Sequence, residues 1–216
     1  MTEHPADKRR NRKERTLDAH RREILEAAER VFAENGYVST RVEQIAHDAA
    51  FAVGTIYNVF GSKEELYAAL LSDKSDRIEE CIDEAMAAGG SPAEQLSRLF
   101  EARIEAFWQH RLFFRLFFHE TMNTVCDPRA GFTPEIRARY EAFLETLHGL
   151  FAQGIEAGEF RAAPVHLLVT AYEGILRGYL ANLSRTPAPE RNREEEACLL
   201  RLFIEGAQAE STSKRK

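Results

Sequence analysis

Residues 53–60, Val-Gly-Thr-Ile-Tyr-Asn-Val-Phe, set a hydroxyl, a phenol and an amide among apolar side chains. Wound as two helical turns, they put Ile56 and Phe60 on one side at i,i+4 and leave Thr55, Tyr57 and Asn58 pointing away. Groups that donate and accept hydrogen bonds from an exposed helix suit the phosphates and base edges of a DNA groove. Just upstream, Thr40-Arg41-Val42-Glu43 has the form of a capping box, with the Thr40 hydroxyl on a free amide and Glu43 reaching back. Arg41 then stands at an exposed helix start, where its charge does little for the helix and is available to a phosphate. A second group of candidates is aromatic. Helical projection brings Phe107, Phe114 and Phe118 together, with His110 and Phe117 at the edge of the stripe, while Trp108, Leu112, Arg115 and His119 make another. A helix that is apolar on more than one side is buried among others or lines a cavity.

Other chemistry is poorly represented. The chain shows no assembled nucleophile, base and acid, no Gly-rich phosphate loop, no paired metal motif and no cofactor fingerprint. An enzyme is therefore not expected, and no catalytic residue, metal ligand or cofactor is named. Cys81, Cys126 and Cys198 lie far apart and are odd in number, which suggests buried free thiols. His110 and His119 project to opposite sides of one helix, so each is expected to be a hydrogen-bonded histidine of the core or a ligand-site wall.

Charge supports a nucleic-acid partner only through its distribution. The formal net charge is -6, yet residues 1–22 carry eight basic side chains against four acidic ones. We expect residues 1–20 to form a basic flexible arm. No apolar run is long enough to span a bilayer and the chain opens with a polar segment, so a cytoplasmic protein without membrane contact is expected.

The elements that must position these residues are all helical. Ile24, Ala27, Ala28, Val31 and Phe32 recur at helical spacing, and Asn35-Gly36 supplies a left-handed stop, placing helix 1 at about 21–34. A short helix ending near Ala49 and the segment 53–60 follow, with Phe51 able to plug the corner between them. Three short helices in this order describe a helix-turn-helix unit over 21–66. Ser62-Lys63-Glu64-Glu65 opens a longer helix, Gly89-Gly90 closes it, and Ser91-Pro92-Ala93-Glu94 opens another. The loop at 127–131 precedes a helix capped by Thr133 whose end Gly154 and Gly158 loosen. Two last helices, at about 165–184 and 190–209, flank Pro187-Ala188-Pro189. The fold class is all-α, with a three-helix head, a larger helical domain over 67–209 for ligand sensing and dimerisation, and a disordered tail over 210–216.

From Ile24 to Leu66 the chain resembles the DNA-binding head of the TetR family of transcriptional regulators. The resemblance rests on Ile24-Leu25-Glu26-Ala27-Ala28, Phe32, Gly36-Tyr37, Thr40, Ile45-Ala46, Gly54-Thr55-Ile56-Tyr57, Phe60 and Ser62-Lys63-Glu64-Glu65-Leu66. It implies that Thr40 caps helix 2 beside a phosphate, that Thr55 and Tyr57 contact the operator, and that Lys63 holds a phosphate. Where the family usually has Gly in the turn and often Ser before the recognition helix, this chain has Ala50 and Ala52. Val59 stands where a second aromatic is common.

The resemblance implies a homodimer paired through the helices near 165–184 and 190–209, with two recognition helices roughly one DNA turn, 34 to 36 Å, apart on a palindromic operator. A small apolar or aromatic effector would sit among Arg103, Phe107, His110, Phe114, Phe117, Tyr140, Phe143 and Tyr172 and release the DNA. Three alternatives stay open from the residues alone: Tyr57 covering the small core, Lys63 as a solvated charge, and the Phe-rich segment as solid core. For function, a transcriptional activator or a nonspecific architectural DNA-binding protein are the alternatives to a repressor.

Overall fold

The computed structural model describes the backbone of residues 5–122 and 133–208 and the side chains of 15–118 and 133–208. Cys126, the loop at 127–131, the tail at 210–216 and the His119 side chain, all subjects of expectations above, lie outside the described residues. Nine α-helices run through the described residues: α1 (Pro5–Ser39), α2 (Val42–Asp48), α3 (Val53–Phe60), α4 (Lys63–Ala87), α5 (Pro92–Gln109), α6 (Arg111–Met122), α7 (Pro134–Glu156), α8 (Val165–Arg185) and α9 (Arg193–Ala207).

Helix α1 starts far earlier than its apolar pattern indicates, so most of the expected flexible arm is drawn as its first turns. Pro5 suits a first helical position, and the Lys, Arg and Glu that follow are good helix formers with no Gly to stop them. Gly36, with φ 76° and ψ 163°, breaks the helix at the expected stop and turns the chain toward α2. The α2–α3 corner is a Schellman turn: Phe51 N–H donates to Ala46 O (2.9 Å) and Ala50 N–H to His47 O (3.2 Å). Ala50 takes the left-handed position, φ 56°, that a glycine would occupy without strain.

The capping signals downstream hold. Ser62 accepts from Glu65 N–H, Ser91 from Glu94 N–H beside Pro92, and Thr133 from Ile136 N–H. Helix α2 differs: its first helical residue is Val42 and Arg41 is the cap position, so Gln44 Oε1, not Glu43, accepts from the Arg41 N–H (2.7 Å). Thr40 is one residue too early to cap.

Two cores form. In the head, Ile24, Ala28 and Phe32 of α1 pack with Val42 and Ile45 of α2, Ile56 and Phe60 of α3, and Leu66 and Leu70 of α4. Leu116 of α6 completes this cluster, so the head is closed by a residue of the larger domain. The second core joins Leu96, Phe100, Ile104 and Phe107 of α5 to Leu147 and Phe151 of α7, Tyr172 and Leu176 of α8 and Phe203 of α9. The inner stripe of α8 expected from its spacing packs here, inside its own chain. Gly154 tightens the end of α7 instead of loosening it, because the Phe160 ring lies where a Cβ would stand. Gly158, φ 73°, ends the helix.

Candidate DNA-binding head and ligand cavity

Helix α3 presents the chemistry its spacing promised. Ile56 and Phe60 are buried, Tyr57 is 45% exposed, Asn58 is exposed and Thr55 is half-buried. Its N-cap, Ala52, makes no side-chain hydrogen bond, so the helix starts on backbone contacts alone. Val59 is half-buried against the head core, and a Cβ on Gly54 would meet nothing within 4 Å.

Arg41 is exposed at the start of α2, as expected. Thr40 is not: it is 2% exposed and its hydroxyl donates to Gly36 O (2.7 Å), a bond that holds the α1–α2 corner. Lys63 is half-buried at the start of α4, where Nζ donates to Thr40 O (2.7 Å) and Val38 O (3.3 Å) over the Tyr37 ring (4.5 Å). Its charge thus fastens the same corner from inside the chain. Tyr37 in turn donates to Glu64 Oε1 (3.1 Å), and the Arg30–Asp48 pair (2.8 Å) pins α1 to α2. Thr55, Tyr57, Asn58 and Arg41 are therefore carried on a frame that Thr40 and Lys63 brace.

In the larger domain the helices leave a cavity of about 410 Å³. Arg103, Phe114, Phe117, Tyr140 and Phe143 of the expected ligand set line it, together with Phe113 and Phe118. Phe107, His110 and Tyr172 do not. The chain breaks at His110 (φ -120°, ψ 38°), so α5 and α6 are separate helices and one projection cannot span both. Phe107 stays in the core of α5, and Tyr172 is fully buried with its hydroxyl on Leu96 O (3.0 Å). His110 is half-buried, and burial holds its imidazole below its ordinary value.

Sequence reading missed one whole wall of the cavity, formed by Tyr67, Leu71, Ser75, Ile78, Ile82 and Met86 of α4. The signal was present, because positions 67, 71, 75, 78, 82 and 86 follow one another at intervals of three or four residues. It also missed the polar corner. Arg103 forms a bidentate pair with Glu173, and Tyr140 donates to Glu173 Oε2 (3.0 Å). Burial lowers the Arg103 value, but the charge and hydrogen bonds of Glu173 outweigh it and leave the guanidinium above its usual range. Burial, aided by the Glu173 charge, pushes the Tyr140 phenol well above its usual range, so it remains a donor.

Comparison with known proteins decides what this pairing of head and cavity belongs to. The model of bacterial regulatory proteins of the tetR family matches residues 24–70, and that of the tetracyclin repressor-like C-terminal domain matches residues 89–180. The transcriptional repressor KstR2 of Mycobacterium tuberculosis is 30% identical over 146 residues, 67% of this chain and 71% of that protein. The chain belongs to the TetR family. The fatty acid metabolism regulator of Bacillus subtilis is 27% identical over 140 residues, 64% of this chain and 70% of that protein. The solved structure of the ketosteroid regulator KstR2 of M. tuberculosis superposes with a TM-score of 0.72 at 27% identity, covering 88% of this chain and 95% of that one.

As a TetR-family member the protein is a ligand-responsive transcriptional regulator that binds operator DNA as a dimer, and it is not an enzyme. Among the described residues no helix is long and apolar enough to cross a membrane. Two further features bear on how such a regulator works. The outer faces of α8 and α9 are uncovered: Leu167 and Leu202 are 54% and 66% exposed, and Ala171, Gly174, Gly178 and Cys198 are exposed beside them. Cys198 is thus not the buried thiol expected, because it sits on the outer side of α9, and Cys81 is half-buried; both are free. The second feature joins the two cores. Glu29 of α1 is paired with Lys74 of α4 (2.7 Å), both nearly buried, and Glu29 Oε1 accepts from the Phe113 N–H of α6 (3.1 Å). Phe113 and, on α4, Leu71 and Ser75 line the cavity.

Proposed function

We propose that the protein is a repressor that leaves a palindromic operator when a hydrocarbon-rich effector enters the cavity. The observation that carries this reading is the double membership of α4: Leu66 and Leu70 belong to the core of the head, while Leu71, Ser75, Ile78 and Ile82 are a wall of the cavity. A ligand that pushes this wall tilts the helix to which the head is packed. Glu29, Lys74 and the Phe113 amide transmit the same push to α1. Two copies pair through the exposed faces of α8 and α9, so a tilt in each changes the distance between the recognition helices.

On the DNA, Thr55, Tyr57 and Asn58 read the groove and Arg41 holds a phosphate. Thr40 and Lys63 keep the α1–α2 corner in the shape that presents them, and Lys63 reaches a phosphate by its remaining donor. The bare surface of Gly54 allows close approach of the backbone. The dimer works in the cytoplasm, where its operator is. The aromatic and aliphatic walls favour an apolar effector body, in keeping with the ketosteroid and fatty acid contexts named for the two relatives. To reverse a 99:1 preference the effector must favour the released form by about 10⁴-fold.

Selection of bound duplexes from a random library by the purified protein at physiological salt tests the DNA half. A palindrome with two spaced half-sites is expected. Unenriched binding that vanishes steeply with salt would instead make it a nonspecific architectural protein. Placing the recovered operator before or after a promoter start distinguishes repression from activation.

A further inference from the structure

The charged groups of the cavity are unevenly matched. Arg103 is bonded to Glu173 by both nitrogens of its fork, and Glu173 also accepts from Tyr140. At the rim, Arg139 is paired with Asp76 and with Glu79 (3.1 Å). Arg177 lies one helical turn beyond Glu173 on α8 and lines the same cavity, half-buried. Among the described residues its guanidinium makes no ion pair and no hydrogen bond. Its positive charge is felt at the Tyr140 hydroxyl, which places it in the same polar corner. A guanidinium does not lose its proton, so this corner holds two cations against one carboxylate, and that carboxylate is already bonded to Arg103 and Tyr140.

We propose that the effector is a carboxylic acid with a hydrocarbon body, its carboxylate held by Arg177 and its body lying along Phe113, Phe114, Phe117, Ile78 and Ile82. This rests on the ligand-responsive reading given above. A cationic ligand meets an uncompensated guanidinium and finds Glu173 taken; Asp83, the lining acid with no ion-pair partner among the described residues, is exposed and faces water. A neutral ligand displaces water from Arg177 and puts nothing in its place, which leaves a charge facing an apolar wall without a partner. A carboxylate supplies that partner in the bidentate geometry that arginine favours. The cavity walls accept either a flexible chain or flat rings, because Phe side chains present both edges and faces; the shared requirement is the acid group.

Calorimetric titration of the full-length protein at pH 7 with decanoate and with naphthalene-2-carboxylate, each beside the primary alcohol of the same skeleton, tests the proposal. The acids are ionised at this pH. We expect at least one acid to bind about tenfold or more tighter than its alcohol, equivalent to about 1.4 kcal/mol. Arg177→Gln should reduce that preference below about twofold, by weakening the acid and leaving the alcohol no weaker than before, and Arg177→Lys should keep part of it. An unfolding midpoint by circular dichroism close to that of the unaltered protein shows that each variant is folded. An acid preference that survives Arg177→Gln, or acids no tighter than alcohols, overturns the assignment. Operator release, followed by fluorescence anisotropy on the same samples, separates the two readings. Release by alcohols as readily as by acids keeps ligand response and rejects the carboxylate. Acids that bind with the expected preference yet release no operator keep the carboxylate site and reject ligand response. Binding by none of the four compounds rejects this class of effector.

Discussion

The head and the larger domain are built from the same kinds of side chain, yet one closes its core and the other leaves a cavity of about 410 Å³. In the head, small residues on α1, Ala27 and Ala28, let short helices approach closely, and Ile45, Ile56 and Phe60 fill the space between them. In the larger domain, α4, α6, α7 and α8 face one another with Phe, Ile and Arg side chains that hold the helices apart. The first arrangement makes a closely packed head and the second a space bordered by these helices. They meet at Glu29, Lys74 and the Phe113 amide, and at Leu116, which α6 lends to the head.

The largest effect is expected where the two regions meet. Lys74→Met leaves Glu29 without its cation in a nearly buried place and should cost about 3 to 5 kcal/mol in urea unfolding. Replacing both residues, Glu29→Leu with Lys74→Met, should recover most of that stability. It should also weaken the coupling between effector and operator, which anisotropy titrations with and without ligand would show. A cost below 1 kcal/mol for Lys74→Met would mean that the two regions are joined by packing alone.

Within the larger domain, Gly154→Ala pushes a methyl into the Phe160 ring and should destabilise by about 1 to 3 kcal/mol. An unchanged midpoint would show that the end of α7 is loose, and with it the wall the helix supports. Within the head, Ala50→Gly removes a left-handed alanine from the α2–α3 turn and should stabilise by about 1 kcal/mol. The gain should leave ligand affinity untouched, because the turn is remote from the cavity walls.

The smallest effect concerns pH. Burial, with the nearby Lys74 charge, holds His110 below its ordinary value of 6.5, so the folded protein binds this proton less readily than the unfolded chain. Its contribution is constant above about pH 6.5 and stability falls as the pH drops below that value toward the lowered one; the neighbouring Glu29 and Asp73 act in the opposite sense. His110→Asn should flatten the unfolding free energy over this range. A slope that persists in the variant would assign it to the carboxylates.

How much of this could be read without the fold follows from the range of each signal. Capping by Ser62, Ser91 and Thr133, the stop at Gly36 and the outward side of α3 depend on residues within one or two turns, and they were legible. The cap of α2 failed by one residue: the helix begins at Val42, so Arg41 takes the cap position, and the Thr40 hydroxyl instead donates to Gly36 O in the preceding corner. The lining of the cavity was legible only in part. Phe114, Phe117, Tyr140, Phe143 and Arg103 were recognised by type, but Phe107 and Tyr172 have the same types and are core.

The sequence by itself determined the all-helical fold class, the caps at Ser62, Ser91 and Thr133, the family and the face of α3 that meets solvent, because these follow from spacing, capping chemistry and matched positions along the chain. Only the tertiary structure decided which aromatic rings border empty space, that α4 forms a cavity wall, that Lys63 braces the α1–α2 corner, and that the Arg177 guanidinium has no partner among the described residues. Each of those depends on which helices are neighbours and at what distance, and on the break at His110 that turns α6 away from the line of α5.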